Sequence, residues 1–167
     1  MRIDKLTSKL QSALADAQSL ALGKEHASIE PAHLLMALID QNRGSAFTLL
    51  SQTGFNVGEL RSQLQKVVND LPQLPDNEGE ISVSPGLGKL LNQADKLTQQ
   101  KGDSFISSET ILLIAMGDKG VVGKILNGFG VSSEALENAI VNLRGGANVA
   151  DPAAEDSWQA LARFCID

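Results

Sequence analysis

The feature that most constrains this chain is that its second half repeats its first. Residues 12–39 can be laid on residues 89–116 without a gap, at an offset of 77 positions. Leu14 then meets Leu91, Ala17 meets Ala94, Leu20 meets Leu97, Lys24 meets Lys101, Ile29 meets Ile106 and Leu35 meets Leu112. A second stretch, 49–65, falls on 125–141 at an offset of 76. There Leu50 meets Leu126, Gly54 meets Gly130 and Leu60 meets Leu136, while Leu49/Ile125, Phe55/Val131 and Leu64/Ile140 match in kind. Identity is low, but it falls on the apolar stripe and on the turn glycine. Helical periodicity by itself does not also align the helix starts and the Leu-to-Ile loop at one offset.

The repeated unit reads as helices. Apolar residues recur at helical spacing through Ile3, Leu6, Leu10, Ala13, Leu14, Ala17, Leu20 and Ala21, which predicts one long helix over 3–22, ending near Gly23. Pro31 suits the first position of a second helix, because proline has no N–H to leave unpaired. A third helix is expected over 45–52, stopped by Gly54. A fourth starts at Asn56, with Glu59 at capping-box spacing. Two prolines in Leu71–Glu80 and the polar residues after them mark a linker. Further helices are expected over 85–101, 108–116, 120–128 and 132–143. The expected fold is all-α: two tandem four-helix repeats related by a pseudo-twofold axis, about eight helices. Residues 1–146 form the duplicated domain, with repeat one at 1–72, a linker at 73–83 and repeat two at 84–146. Asp151-Pro152 is expected to open a short terminal helix, and the chain stops at Ile166-Asp167 without a closing signal, as if cut from a longer protein.

Composition suits such a fold and narrows its function. The chain has 167 residues, 43% of them apolar, but only 4% aromatic. Its core must be built from Leu, Ile, Val and Ala, which lets helices pack closely. The formal charge is −6 and there is no Lys/Arg run, so a nucleic-acid footprint is missing. Cys165 is the only cysteine, so an intrachain disulfide is excluded, in keeping with a reducing compartment. The N-terminus has no apolar signal-peptide region, and no apolar run is long enough to span a bilayer. A cytoplasmic protein without membrane or nucleic-acid partners is expected.

No motif carries chemistry. Gly117–Ile125 imitates a phosphate loop, but it has five residues between its outer glycines instead of four, and Ile125 stands where Ser or Thr would hold Mg²⁺. It reads as a turn into a helix. Gly86-Leu87-Gly88 lacks the third glycine of a dinucleotide site. His26 and His33 have no clustered cysteines, so a metal site is not expected. His33 reads as a helix-start residue packing over the loop. Cys165 has no partner that would activate it. No catalytic, cofactor or metal residue is expected in this chain.

Several collinear segments resemble one family. They are Arg2–Thr7, Ala15–Ala21, Ile29–Leu35, Asp95-Lys96-Leu97, Gly102–Glu109 and Leu143–Gly146. They are similar to the N-terminal domain of ClpB-type disaggregases, heat-shock chaperones of the AAA+ class. Ala154-Glu155-Asp156 and Gln159-Ala160-Leu161 resemble the segment leading to the first ATPase module, so 147–167 is expected to begin that linker. The resemblance implies a bacterial, cytoplasmic, hexameric parent that uses ATP and Mg²⁺ to thread aggregated polypeptide through a pore. A collaborating chaperone would act through other parts of that parent. It also implies that Thr7, Asp103 and Glu109 lie near a substrate-facing surface. Two readings of these residues coexist. Glu109 falls in the first turn of a helix, where a carboxylate is favoured, and Ser107 is the expected cap. Alternatively they are polar contacts for substrate or for the neighbouring module.

A duplicated helical fold also leaves a seam between its halves. Apolar groups there, with Leu90, Leu91, Leu97 and Leu113 as candidates, could grip an unfolded segment. Gln93 and Thr110 are polar where the family commonly has apolar groove residues, which points to a wetter groove. The expected function is a substrate-engaging domain that binds unfolded or aggregated polypeptide and helps pass it to the AAA+ ring. The alternative is an adaptor-docking domain, as in Clp-protease-type ATPases. A free-standing enzyme has no supporting constellation.

Overall fold

The computed structural model describes residues 3–41, 44–74, 81–145 and 148–155. After a 3₁₀ turn at Ile3–Lys5 come α1 (Ser8–Gly23), β1 (Ser28–Ile29), α2 (Pro31–Asp40), α3 (Ala46–Thr53) and α4 (Val57–Asn69). Then follow β2 (Ser82–Val83), α5 (Pro85–Gln100), α6 (Ser108–Met116), α7 (Val121–Asn127) and α8 (Ser133–Arg144). Among the described residues these are eight α-helices, four in each half.

Local chemistry sets most boundaries. The Asn56 side chain accepts from the Glu59 N–H at 3.1 Å, Ser84 from Leu87 at 3.1 Å and Ser132 from Ala135 at 3.1 Å. Each satisfies one orphan donor of a first helical turn. Gly54 ends α3 at φ +115°, and its counterpart Gly130 has φ +73°. Both are left-handed turns that a side chain would strain. The first helix departs from expectation. It starts at Ser8, not at Ile3, because the Thr7 hydroxyl accepts from the Leu10 N–H at 3.2 Å and caps the helix there. Of the terminal helix only Ala154-Glu155 falls among the described residues.

The core is centred on α2, in which every residue from Ala32 to Ile39 is buried. Its partner in the second half, α6, buries Ile111, Leu112, Ala115 and Met116. The halves join where α3 packs on α8 and α4 packs on α7, contacts that the pseudo-twofold exchanges with each other. At this joint the Phe55 and Phe129 rings lie 5.7 Å apart, tilted by 58°.

The duplication is also written in the backbone. Ile29 pairs with Val83 in the parallel pair β1–β2, and Leu6 makes an isolated parallel bridge to Ile106. Leu6 and Val83 are equivalent at the offset of 77, as are Ile29 and Ile106. Each half therefore lends the segment before its first helix to the loop before the other half's second helix.

Candidate functional site

A cleft of about 530 Å³ opens between the starts of α1 and α5. Ile3, Leu6, Leu14, Val83, Pro85 and Leu91 supply its apolar lining, with Ser84, Gly88 and Asn92 beside them. It lies on the pseudo-twofold seam, because Leu6 and Val83 are one equivalent pair and Leu14 and Leu91 another. Ile3 and Val83 remain 61% and 40% exposed, so its rim offers apolar surface to water.

The two sides of the cleft are not the same. On the α1 side the Gln11 side-chain amide donates to the Leu6 carbonyl at 2.9 Å, and the Leu6 N–H donates to Ile3 at 3.0 Å. Position 88, the equivalent of Gln11, is glycine. A Cβ there would meet nothing closer than Val83 Cγ1, at 4.0 Å. The Ser84 N–H donates to the Ile29 carbonyl at 3.0 Å, so the β1–β2 ladder runs through the residues flanking Val83. The N–H and carbonyl of Val83 itself are left on the outer edge. Outside the β1–β2 ladder neither has a backbone hydrogen-bond partner among the described residues.

Behind the α1 side lies a buried polar cluster. Arg144, the last residue of α8, donates through Nη1 to Asp103 Oδ2 at 2.9 Å. It also donates through Nε to Glu109 Oε1 at 3.1 Å and through Nη2 to Ser107 Oγ at 3.1 Å. The segment 148–155 closes over this cluster. The Val149 N–H donates to Asp103 Oδ1 at 2.9 Å, and the Val149 carbonyl accepts from Ser104 at 2.7 Å. Glu155 Oε2 accepts from the Ser108 N–H at 3.3 Å and from the Thr7 hydroxyl. Two carboxyl groups thus share one guanidinium, and a third, Glu155, feels the charge of Glu109. Burial, and then the charge of Glu109, push the Glu155 carboxyl up to about 7. Burial also raises Glu109, against the opposing pull of Arg144.

The first half holds the matching loop with different chemistry. His26 and His33 stand where the second half has Asp103 and Thr110, and Val68 stands where it has Arg144. His33 Nδ1 accepts from the Glu30 N–H at 2.8 Å. That leaves the proton on Nε2, which faces His26 Nδ1 at 2.8 Å. Burial first, then His26 and Lys24, lower His33 to about 4. Each ring is engaged by the other, which is the loop-packing role expected for His33. Among the described residues no group of three or more His, Cys, Asp or Glu is placed to hold a metal ion.

The residues picked out by sequence fall into three places. Thr7, Asp103 and Glu109 are brought together, but in the interior: Thr7 and Glu109 are fully buried and Asp103 is 8% exposed. Ser107 occupies the cap position of α6, yet its hydroxyl makes no cap bond and serves Arg144 instead. Of the four leucines only Leu91 lines the cleft. Leu90 points into the core and Leu97 is half-buried away from the cleft. Leu113 lines a separate depression with Met116 and Val131. Gln93 and Thr110 lie outside the cleft lining, so their polarity does not wet it. Sequence reasoning missed Ile3 and Val83 at the rim and Arg144 and Glu155 behind it. Gly117–Val121 is a turn into α7. A Cβ at Gly123 would come within 1.7 Å of the Asp118 carbonyl oxygen, so that glycine serves packing.

The chain matches the sequence profile of the Clp repeat (R) N-terminal domain over residues 5–145. It belongs to that family. Over all 167 residues it is 55% identical to the chaperone protein ClpB of Pseudomonas putida and 46% identical to that of Vibrio cholerae. The chain spans 20% of the length of each of these relatives. Among solved structures it is similar to the Hsp104 N-terminal domain of Candida albicans, with a TM-score of 0.77 at 23% identity, covering 90% of this chain and 99% of that one. A ClpV N-domain in complex with a VipB peptide gives a TM-score of 0.67 at 23% identity, covering 83% and 86% of the two chains. These two likenesses show the Clp N-domain fold. No helix among the described residues is long and apolar enough to cross a membrane.

Proposed function

We propose that this Clp N-domain engages unfolded or aggregated polypeptide in the seam cleft and helps pass it to an AAA+ ring. The observation that carries the reading is the apolar cleft with an unpaired main-chain edge at Val83. An extended segment can place apolar side chains against Leu6, Leu14 and Leu91 and share hydrogen bonds with the Val83 N–H and carbonyl. Burying about 100 Å² of apolar surface contributes roughly 2.5 kcal/mol, which after association costs leaves a weak site. Weak sites repeated around a ring gain by avidity. The ClpB relatives support such a parent, which would be a cytoplasmic hexamer with ATP and Mg²⁺ bound outside this domain.

A labelled sample titrated with unfolded casein should show shifts at Ile3, Leu6, Val83 and Leu91. Gly88→Gln restores the side chain found at Gln11 and should fill the cleft. It is expected to weaken binding at least fivefold while adding about 0.5–1 kcal/mol of helix stability. Casein binding that is unchanged in this variant would remove the cleft from the proposal. The ClpV N-domain bound to a VipB peptide favours a second reading, docking of one specific partner protein. Binding to such a partner, with no response to casein at millimolar concentration, would select it.

A further inference from the structure

We propose that residues 148–155 form a latch that ties the segment leaving the second half to the wall of the cleft, with the buried Glu155 side chain as its pin. The contacts come from both ends of the segment. Val149 is fully buried and bonds the α5–α6 loop through its N–H to Asp103 and its carbonyl to Ser104. The Pro152 carbonyl accepts from the Ser8 N–H at 2.8 Å, and Glu155 takes Thr7 and Ser108. Thr7 and Ser8 directly follow Leu6, and Ile3 and Leu6 are cleft wall. The same few residues therefore hold the latch and shape the cleft.

The first half shows what this segment is equivalent to. Gln73, the counterpart of Val149 at the offset of 76, bridges to His26, and the Leu74 N–H donates to the Glu25 carbonyl at 2.7 Å. That connection continues into β2 and α5, so the following repeat fixes it in place. The second copy has an acid as its fastening. Glu155 Oε1 and Glu109 Oε2 both lack a hydrogen-bond partner, and two ionised carboxylates with unpaired buried oxygens oppose each other. The docked segment therefore favours the protonated carboxyl. The charged groups facing it are Glu109 on α6 and, behind Glu109, Arg144 of α8 and Asp103 of the loop; from the start of α1 the capping residue Thr7, which is uncharged, meets it. The carboxyl binds its proton more tightly when docked than when free, so docking is full at low pH and is lost as pH rises through about 7. Cleft occupancy and latching must then influence each other by the same factor; this coupling, though not the latch, rests on the cleft being a binding site.

Amide hydrogen exchange on the full 167-residue chain tests it. The amides of Ser8, Ser104 and Ser108, corrected for intrinsic rates, should lose protection on the order of twentyfold between pH 5.5 and 8. Amides of α2 such as Leu38 should not. Glu155→Gln keeps the shape without the charge and should hold the three amides protected throughout. Three results would overturn the latch: flat protection in the wild type, a pH response in Glu155→Gln equal to the wild type's, or core and latch amides opening together. A failed casein titration leaves these exchange rates as they are, so the latch and the binding function can fail separately.

Discussion

At the scale of the residue, Arg144 is the group on which the second half most depends. It stands 35 positions from Glu109 in sequence and is the guanidinium that Asp103 and Glu109 share. Removing one member of a buried ion-pair cluster leaves uncompensated charge and costs about 3–5 kcal/mol. Arg144→Leu is therefore expected to lower stability to urea by that amount. Asp40→Ala, which breaks the exposed bidentate pair with Arg61, should cost under about 1 kcal/mol. Equal losses in the two variants would mean that burial does not separate the pairs. Thr7, Asp103 and Glu109 were legible as a set only through family resemblance. Their spacing did not disclose that they lie inside the fold, because no local pattern shows a distant arginine turning inward. The Leu143–Gly146 segment contains that arginine, but nothing in its spacing points to Asp103 or Glu109.

At the scale of the element, caps and turns explain why so many helix boundaries could be read in advance. The Ser84 hydroxyl accepts from the Leu87 N–H, and Ser84→Ala removes that cap while keeping the backbone bond to Ile29, so it should cost about 1 kcal/mol. Gly54→Ala places a side chain at φ +115° and should cost about 1–2 kcal/mol. Thermal or urea unfolding checks both, and a neutral Gly54→Ala would mean that α3 can end without its left-handed turn. Where reading failed, the reason was tertiary. The apolar period runs on through Ile3 and Leu6, so it predicted a longer α1. Those residues instead serve the cleft and the bridge to Ile106, and Thr7 restarts the count. The β1–β2 pair has two residues a side, too few for any alternation to register. The cleft followed from the seam, but its asymmetry did not. That asymmetry depends on what Gly88 omits, and an absent side chain signals nothing without its repeat partner Gln11 beside it.

At the scale of the whole molecule, one architecture has been closed twice by opposite chemistry, and the pH dependence of stability should show it. In the first half the His26–His33 pair is held neutral, with both rings lowered, His33 to about 4. Unfolded histidine takes up its proton near 6.5, so between these values the unfolded chain binds more protons than the folded one. Stability from this pair is complete above about 6.5 and falls as pH drops toward 4. In the second half Glu109 and Glu155 are raised, so their contribution is complete below the ordinary carboxylate range and declines as pH climbs through about 7. Between about 4.5 and 6.5 the two contributions therefore change in opposite directions and offset each other, and above about 6.5 the carboxylate loss is left unopposed. Urea unfolding at intervals from pH 4.5 to 8 should be near level on the acid side and fall toward neutral pH. Glu155→Gln should uncover the histidine limb, with stability rising from pH 4.5 to 6.5, and His33→Gln should uncover the carboxylate limb, with stability falling over the same range. A Glu155→Gln profile that is level from pH 6.5 to 4.5 would show that the buried imidazoles take up protons without opening the loop. The neutral histidine pair would then not be what fastens the first half.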